Sequence, residues 1–131
     1  RSTQAKTLFP YTTLFRSLQQ IGLTTPQYAV LTFLEVEPGA SNAELARRAF
    51  VTPQTMQGIL VSLERAGFVK RTPHPEHGRI QTTELTASGR AAQKAASGIV
   101  FKAEMRLREA AAPLDAQTVV AMLRRFADAL R

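Results

Sequence analysis

The chain has 131 residues, 44% of them hydrophobic, and a formal charge of +7 from 17 basic and 10 acidic side chains. That length suits one domain with a single buried core. The lack of cysteine excludes disulfides, thiol redox sensing and cysteine metal sites, and no apolar run approaches a membrane span. The basic balance favours a polyanionic partner, most often nucleic acid, but alone it is a weak signal.

Residues 1–17, RSTQAKTLFPYTTLFRS, have no clean hydrophobic period and no signal-peptide core. Within them Thr7 to Ser17, TLFPYTTLFRS, resembles the conceptual translation of a common DNA-sequencing adapter. The stretch is therefore expected to be non-native, replacing a natural N-terminus that carries another helix. The alternative is a genuine irregular arm. Arg1, Lys6 and Arg16 lie in it, so the basic balance is softer than the total suggests.

The first credible helix follows in LQQIGLTTPQYAVLTFLEVEPGA. Thr24 or Thr25 caps it, Pro26 fits its first turn, and Pro38-Gly39 ends it. Tyr28, Leu31, Phe33 and Leu34 supply apolar bulk, and Tyr28 reads as a core or pocket-wall residue.

Ser41 to Phe68 then reads as two helices joined by a tight connection. Ser41 with Glu44 fits a capping box, in which each side chain accepts a bond from an orphaned backbone N–H. Ala43, Leu45 and Ala46 form a short apolar face, and Phe50-Val51 break the pattern. Thr52 is the next N-cap candidate, with Pro53 at the first helical position. Met56, Ile59, Leu60 and Leu63 recur at i, i+3, i+4 and i+7, so this helix has one buried face. Gly67 is its stop. On the open side Gln54, Thr55, Gln57 and Gly58 cluster in the first turns. Glutamine and threonine carry donors and acceptors that read base edges, and glutamine can pair with adenine in a bidentate way. The N-terminal end of a recognition helix is the part that meets bases. For a bare helix pair, a hairpin with a solvated polar face is the competing reading.

The next residues weigh against that reading. Phe68 to Arg71 predicts a short strand, Thr72 to Gly78 is rich in turn formers, and Arg79 to Leu85 predicts a second strand. A two-stranded hairpin behind a recognition helix is a wing, with Arg79 at its tip and Lys70 and Arg71 at its base. An arginine there suits the narrow minor groove or a phosphate. His74, Glu76 and His77 invite a metal reading, which fails: His-x-x-His on a turn lacks the helical spacing of a zincin motif and has no third ligand. From Ser41 to Lys94 there are eight Lys or Arg against four Glu.

From about Leu23 onward these residues resemble the MarR family of winged helix-turn-helix transcription regulators. The family's wing signature is Asp-x-Arg, five residues, then Leu-Thr. Here His77-Gly78-Arg79 is followed by Ile80 to Glu84 and then Leu85-Thr86. His77 stands where the family has the Asp that helps hold the wing arginine. AELARRAFVTPQTM also resembles the family's helix-turn-helix, with Gly58 where a basic residue is frequent.

Thr86 caps a long helix that Gly89 and Gly98 are expected to interrupt. After Pro113, Asp115 caps a last helix carrying Val119, Val120, Met122, Leu123, Phe126 and Leu130, apolar over a wide arc. The resemblance implies that these terminal helices interlock in a homodimer. The alternative is that the last helix closes the monomer's own core.

The expected fold is mainly α with a small β-hairpin: a winged helix-turn-helix DNA-binding lobe over residues 18–85 and an α-helical dimerisation region over 86–131. The expected DNA-contacting residues are Arg48, Thr52, Pro53, Gln54, Thr55, Gln57, Lys70, Arg71, His77 and Arg79, with no catalytic, cofactor-binding or metal residues. The resemblance further implies a cytoplasmic, ligand-responsive repressor on a pseudo-palindromic double-stranded operator. It also implies a small aromatic or phenolic effector, and no membrane association. A winged-helix module for protein–protein interaction is the alternative. An enzyme lacks support: there is no Ser/His/Asp set, phosphate-binding glycine loop or evident carboxylate pair.

Overall fold

The computed structural model describes residues 11–131, with side chains from Arg16 onward. Part of the segment expected to be non-native, residues 1–10, lies outside the described residues. Helix α1 (Tyr11–Gln20) runs across the expected boundary at residue 17. It ends in a Schellman motif: the Leu23 N–H reaches the Leu18 carbonyl at 3.0 Å, the Gly22 N–H reaches Gln19 at 2.9 Å, and Gly22 has φ +77°. Leu18 and Leu23, the apolar pair of that motif, are both buried.

Helix α2 (Thr25–Val36) starts from Thr24, which forms a capping box with Gln27. Strand β1 (Ala40–Ser41) leads into α3 (Asn42–Ala49), capped reciprocally by Ser41 and Glu44 as expected. The bonds from the Ser41 backbone and hydroxyl hold the Glu44 carboxyl below its ordinary value. Helix α4 (Pro53–Arg65) starts from the Thr52 cap and stops in a second Schellman motif at Gly67. Met56, Leu60 and Leu63 are buried and Ile59 partly so.

Strands β2 (Val69–Pro73) and β3 (Gln81–Leu85) form the antiparallel hairpin, and β1 adds to the far side of β3 in the order β1-β3-β2. The third strand goes beyond the expected hairpin. It pairs Ala40 with Thr83 and Ser41 with Thr82, tying the start of α3 to the wing. Two residues carry no readable period, which is why the sequence does not announce it.

Helix α5 (Ala87–Ala111) starts from Thr86 and runs without a break, correcting the expectation that Gly89 and Gly98 interrupt it. Gly89 is a close-approach position instead. A Cβ added there would lie 1.9 Å from the Phe68 carbonyl oxygen. That carbonyl accepts the Thr86 N–H at 3.0 Å, while the Thr86 hydroxyl donates to Gly67 O at 2.6 Å. The foot of the wing is thereby pinned to the start of α5.

The core joins Leu18, Leu31, Leu34, Leu45, Met56, Leu60, Leu63, Val69 and Leu85 beneath the helix-turn-helix, with Ala96 from α5. Helix α6 (Ala116–Ala129), capped by Asp115, buries none of its residues. It therefore does not close the protomer's core. Among the described residues no helix is long and apolar enough to cross a membrane.

Candidate nucleic-acid interface

The turn from α3 into α4 is made by Phe50, in the left-handed region at φ 55°. The Val51 N–H returns to Ala46 O at 3.1 Å and the Phe50 N–H to Arg47 O at 3.3 Å, so Phe50 fills the role glycine usually takes. Its side chain is 95% exposed, so burial does not offset the backbone strain.

That turn presents the first two turns of α4 to solvent. The Thr52 hydroxyl accepts the Thr55 N–H at 3.1 Å and donates to the Thr55 hydroxyl at 3.0 Å, leaving the Thr55 O–H to turn outward. Pro53 is exposed, and its carbonyl accepts from Asn42 Nδ2 at 3.4 Å. Gln54 is exposed, and its amide has no partner among the described residues, so donor and acceptor are both free.

Gln57 is placed differently. Its carbonyl accepts from Asn42 Nδ2 at 3.3 Å and from Arg71 Nη1 at 3.1 Å. Arg71 in turn holds Glu64 through Nε at 2.9 Å and Nη2 at 2.8 Å. Its side chain is 13% exposed, and its charge is matched by Glu64. Arg71 thus braces α4 against β2 rather than standing free at the wing's base. Lys70, its neighbour on β2, points to the other face. It is exposed and lies opposite Glu84 in the ladder. Arg48 pairs with Glu37, so its charge is also partly matched.

Arg79 lies in the connection between β2 and β3, exposed and without a partner among the described residues. It lines an open groove of about 420 Å³ together with Asn42, Pro53 and Gln57. The wing arginine and the start of α4 therefore share one concave surface. The wing tip is ordered by His74, whose Nδ1 accepts the Glu76 and His77 N–H groups at 3.1 and 3.2 Å. Backbone bonds from His74 N to Ile80 O (2.7 Å) and from Ile80 N to His77 O (2.8 Å) close the turn. His77 itself is exposed, its ring 5.3 Å from that of His74. Among the described residues no cluster of three His, Asp or Glu could hold a metal.

Asn42 and Glu64 escaped the sequence reading. Glu64 stands seven residues after Gln57, hence on the same face of α4, which is the one local hint that a single side chain bridges both. Asn42 gave no hint.

A model of the MarR family matches residues 21–80. The HTH-type transcriptional repressor Rv2887 of Mycobacterium tuberculosis is 45% identical over 91 residues, 70% of this chain and 66% of that protein. The chain thus matches just under two thirds of the length of that curated relative. The crystal structure of the Mycobacterium tuberculosis MarR family protein Rv2887 is 36% identical, with a TM-score of 0.62 over 90% of this chain and 82% of that one. The transcriptional repressor CouR, solved bound to a 23-mer DNA duplex, is 26% identical, with a TM-score of 0.80 over 99% of this chain and 90% of that one.

Proposed function

The chain belongs to the MarR family of transcriptional regulators, and from that premise we propose that it is a sequence-specific DNA-binding repressor. The observation that carries this reading is the shared groove: Pro53 and Gln57 at the start of α4 and the unpaired wing Arg79 line one concave surface. A helix N-terminus with free amide and hydroxyl groups suits the major groove, and a free arginine beside it suits the minor groove or a phosphate. The neighbouring fold of CouR, solved bound to a DNA duplex, supports DNA binding by this fold.

In this reading Gln54, Thr55 and Gln57 face bases. Thr52, Pro53 and His77 lie along the backbone, and Arg79 reaches from the wing. Lys70 supplies sequence-independent phosphate attraction. Arg48 and Arg71 contribute less direct charge, because Glu37 and Glu64 already match them.

The active form is a homodimer through α5 and α6, a region spanning residues 86–131, with residues 18–85 on DNA. Phe101, Leu107, Leu123 and Phe126 are each about 60% exposed in the protomer, and α6 buries nothing of its own. Large apolar side chains left this exposed on both helices call for a partner. A small aromatic or phenolic effector, acting by unequal affinity for two dimer states, and a cytoplasmic location complete the proposal. The stretch 1–17 is proposed to be foreign in origin, although the chain from Tyr11 folds as helix.

Footprinting tests the arrangement. The expected pattern is two protected patches about one helical turn apart on a pseudo-palindromic site. Uniform or absent protection would favour a protein-interaction module instead.

A further inference from the structure

Both donors around Gln57 fix which way its amide points. A guanidinium has donors only, so the Gln57 atom 3.1 Å from Arg71 Nη1 must be the carbonyl oxygen. The same oxygen takes Asn42 Nδ2 at 3.3 Å. Neither donor is loose: Glu64 holds Arg71 through Nε at 2.9 Å and Nη2 at 2.8 Å, and Asn42 also reaches Pro53 O at 3.4 Å. Gln57, exposed on α4, therefore offers its amino group to the outside, with two N–H donors and no acceptor.

We propose that Gln57 is a donor-only reader, held so by Arg71, and that it selects guanine over adenine at the base pair it faces. The proposal rests on the DNA-binding reading above. The bidentate glutamine–adenine pair needs the glutamine oxygen to accept from N6 while the nitrogen donates to N7. Here that oxygen is spent. Guanine presents two acceptors, O6 and N7, to the two N–H groups, whereas adenine sets its own N6 donor against them. Gln54, with both ends free, keeps the adenine option. Arg71 acts as a positioning residue: without it the Gln57 amide turns, and adenine becomes acceptable.

The test is a selection from operator duplexes randomised over one half-site. It uses the full chain, unsubstituted and as Gln57→Ala, Arg71→Ala and Gln57→Glu, with helix content checked by circular dichroism. The position where Gln57→Ala levels the base preference is the one Gln57 faces. There the unsubstituted chain should favour guanine over adenine about tenfold, the scale of one good base contact. Arg71→Ala should bring adenine level at that position and leave the others unchanged. Gln57→Glu, which keeps the Arg71 brace but offers an acceptor, should turn the preference to cytosine through its N4 donor. Adenine preference in the unsubstituted chain would overturn the proposal. So would a guanine preference that survives Arg71→Ala, or a Gln57→Ala variant that changes no position. An unsubstituted chain that enriches no sequence at all would instead remove the DNA-binding reading, and this proposal with it.

Discussion

Replacing Gly89 with alanine tests the link between the wing and the long helix. The new Cβ would stand 1.9 Å from the Phe68 carbonyl oxygen, 2.8 Å from its carbon and 3.2 Å from its Cα. All three neighbours are backbone, so no flexible side chain can swing aside. The peptide must retreat by more than about 1 Å to restore ordinary contact, an overpacking cost of about 1–3 kcal/mol. The retreat also strains the Thr86 N–H bond to Phe68 O at 3.0 Å and the Thr86 hydroxyl bond to Gly67 O at 2.6 Å. Each such bond is worth about 1 kcal/mol net. Alanine returns about 1 kcal/mol in helix propensity. The balance is a loss of about 2 kcal/mol, or roughly 8 °C in Tm for a domain of this size. Thermal unfolding at fixed protein concentration measures it. Gly58→Ala is the control: nothing lies within 4 Å of its Cβ, so the same substitution should raise Tm by a few degrees. A Gly89→Ala variant as stable as Gly58→Ala would refute the close-approach reasoning.

The other expectations concern DNA, dimer, turn and acid. Gln54→Ala should flatten the preference between operator and scrambled DNA, while Arg79→Ala should weaken both; equal weakening by Gln54→Ala in a competition titration would remove its base-reading role. Leu123→Asp with Phe126→Asp should convert a dimer into a monomer on sedimentation with helix content kept, and an unchanged mass would place the dimer surface elsewhere. Phe50→Gly relieves about 1–2 kcal/mol of left-handed strain but gives back part of it as unfolded-state freedom. The expected net is a gain of about 0.5 kcal/mol in denaturant unfolding, and a loss would contradict it. The Glu44 carboxyl is lowered by its bonds from Ser41, so the contribution of its cap is present above the ordinary glutamate value. It is lost as pH falls from about 5 through the carboxylate range. Glu44→Gln should flatten that limb of the stability curve, and an unaltered limb would remove the cap from the acid response.

The elements that local rules govern were legible. The Ser41, Thr52, Thr86 and Asp115 caps follow from one side chain and the next few N–H groups, and each is found in place; of the two candidates Thr24 and Thr25, Thr24 is the cap. The buried stripe of Met56, Leu60 and Leu63 followed from period alone. What escaped depends on partners distant in sequence. Gly89 reads as a helix breaker until Phe68 is seen against it, twenty-one residues earlier in the chain. Arg71 reads as a free cation until Glu64 and Gln57 are seen around it. Gln57 reads as an amide free at both ends until its oxygen is seen accepting from Asn42 and Arg71. Helix α1 is hidden for another reason: it lies in a stretch of unusual composition, and Gly22, the stop that ends it, is its one clear local signal.

The most direct test of the account is a binding titration of the full chain against the DNA upstream of its own gene. It would use scrambled competitor at two salt concentrations. Site-specific binding should survive the competitor, with an affinity that falls steeply with salt as phosphate contacts release counterions. Equal affinity for the scrambled duplex at both salts would contradict the account.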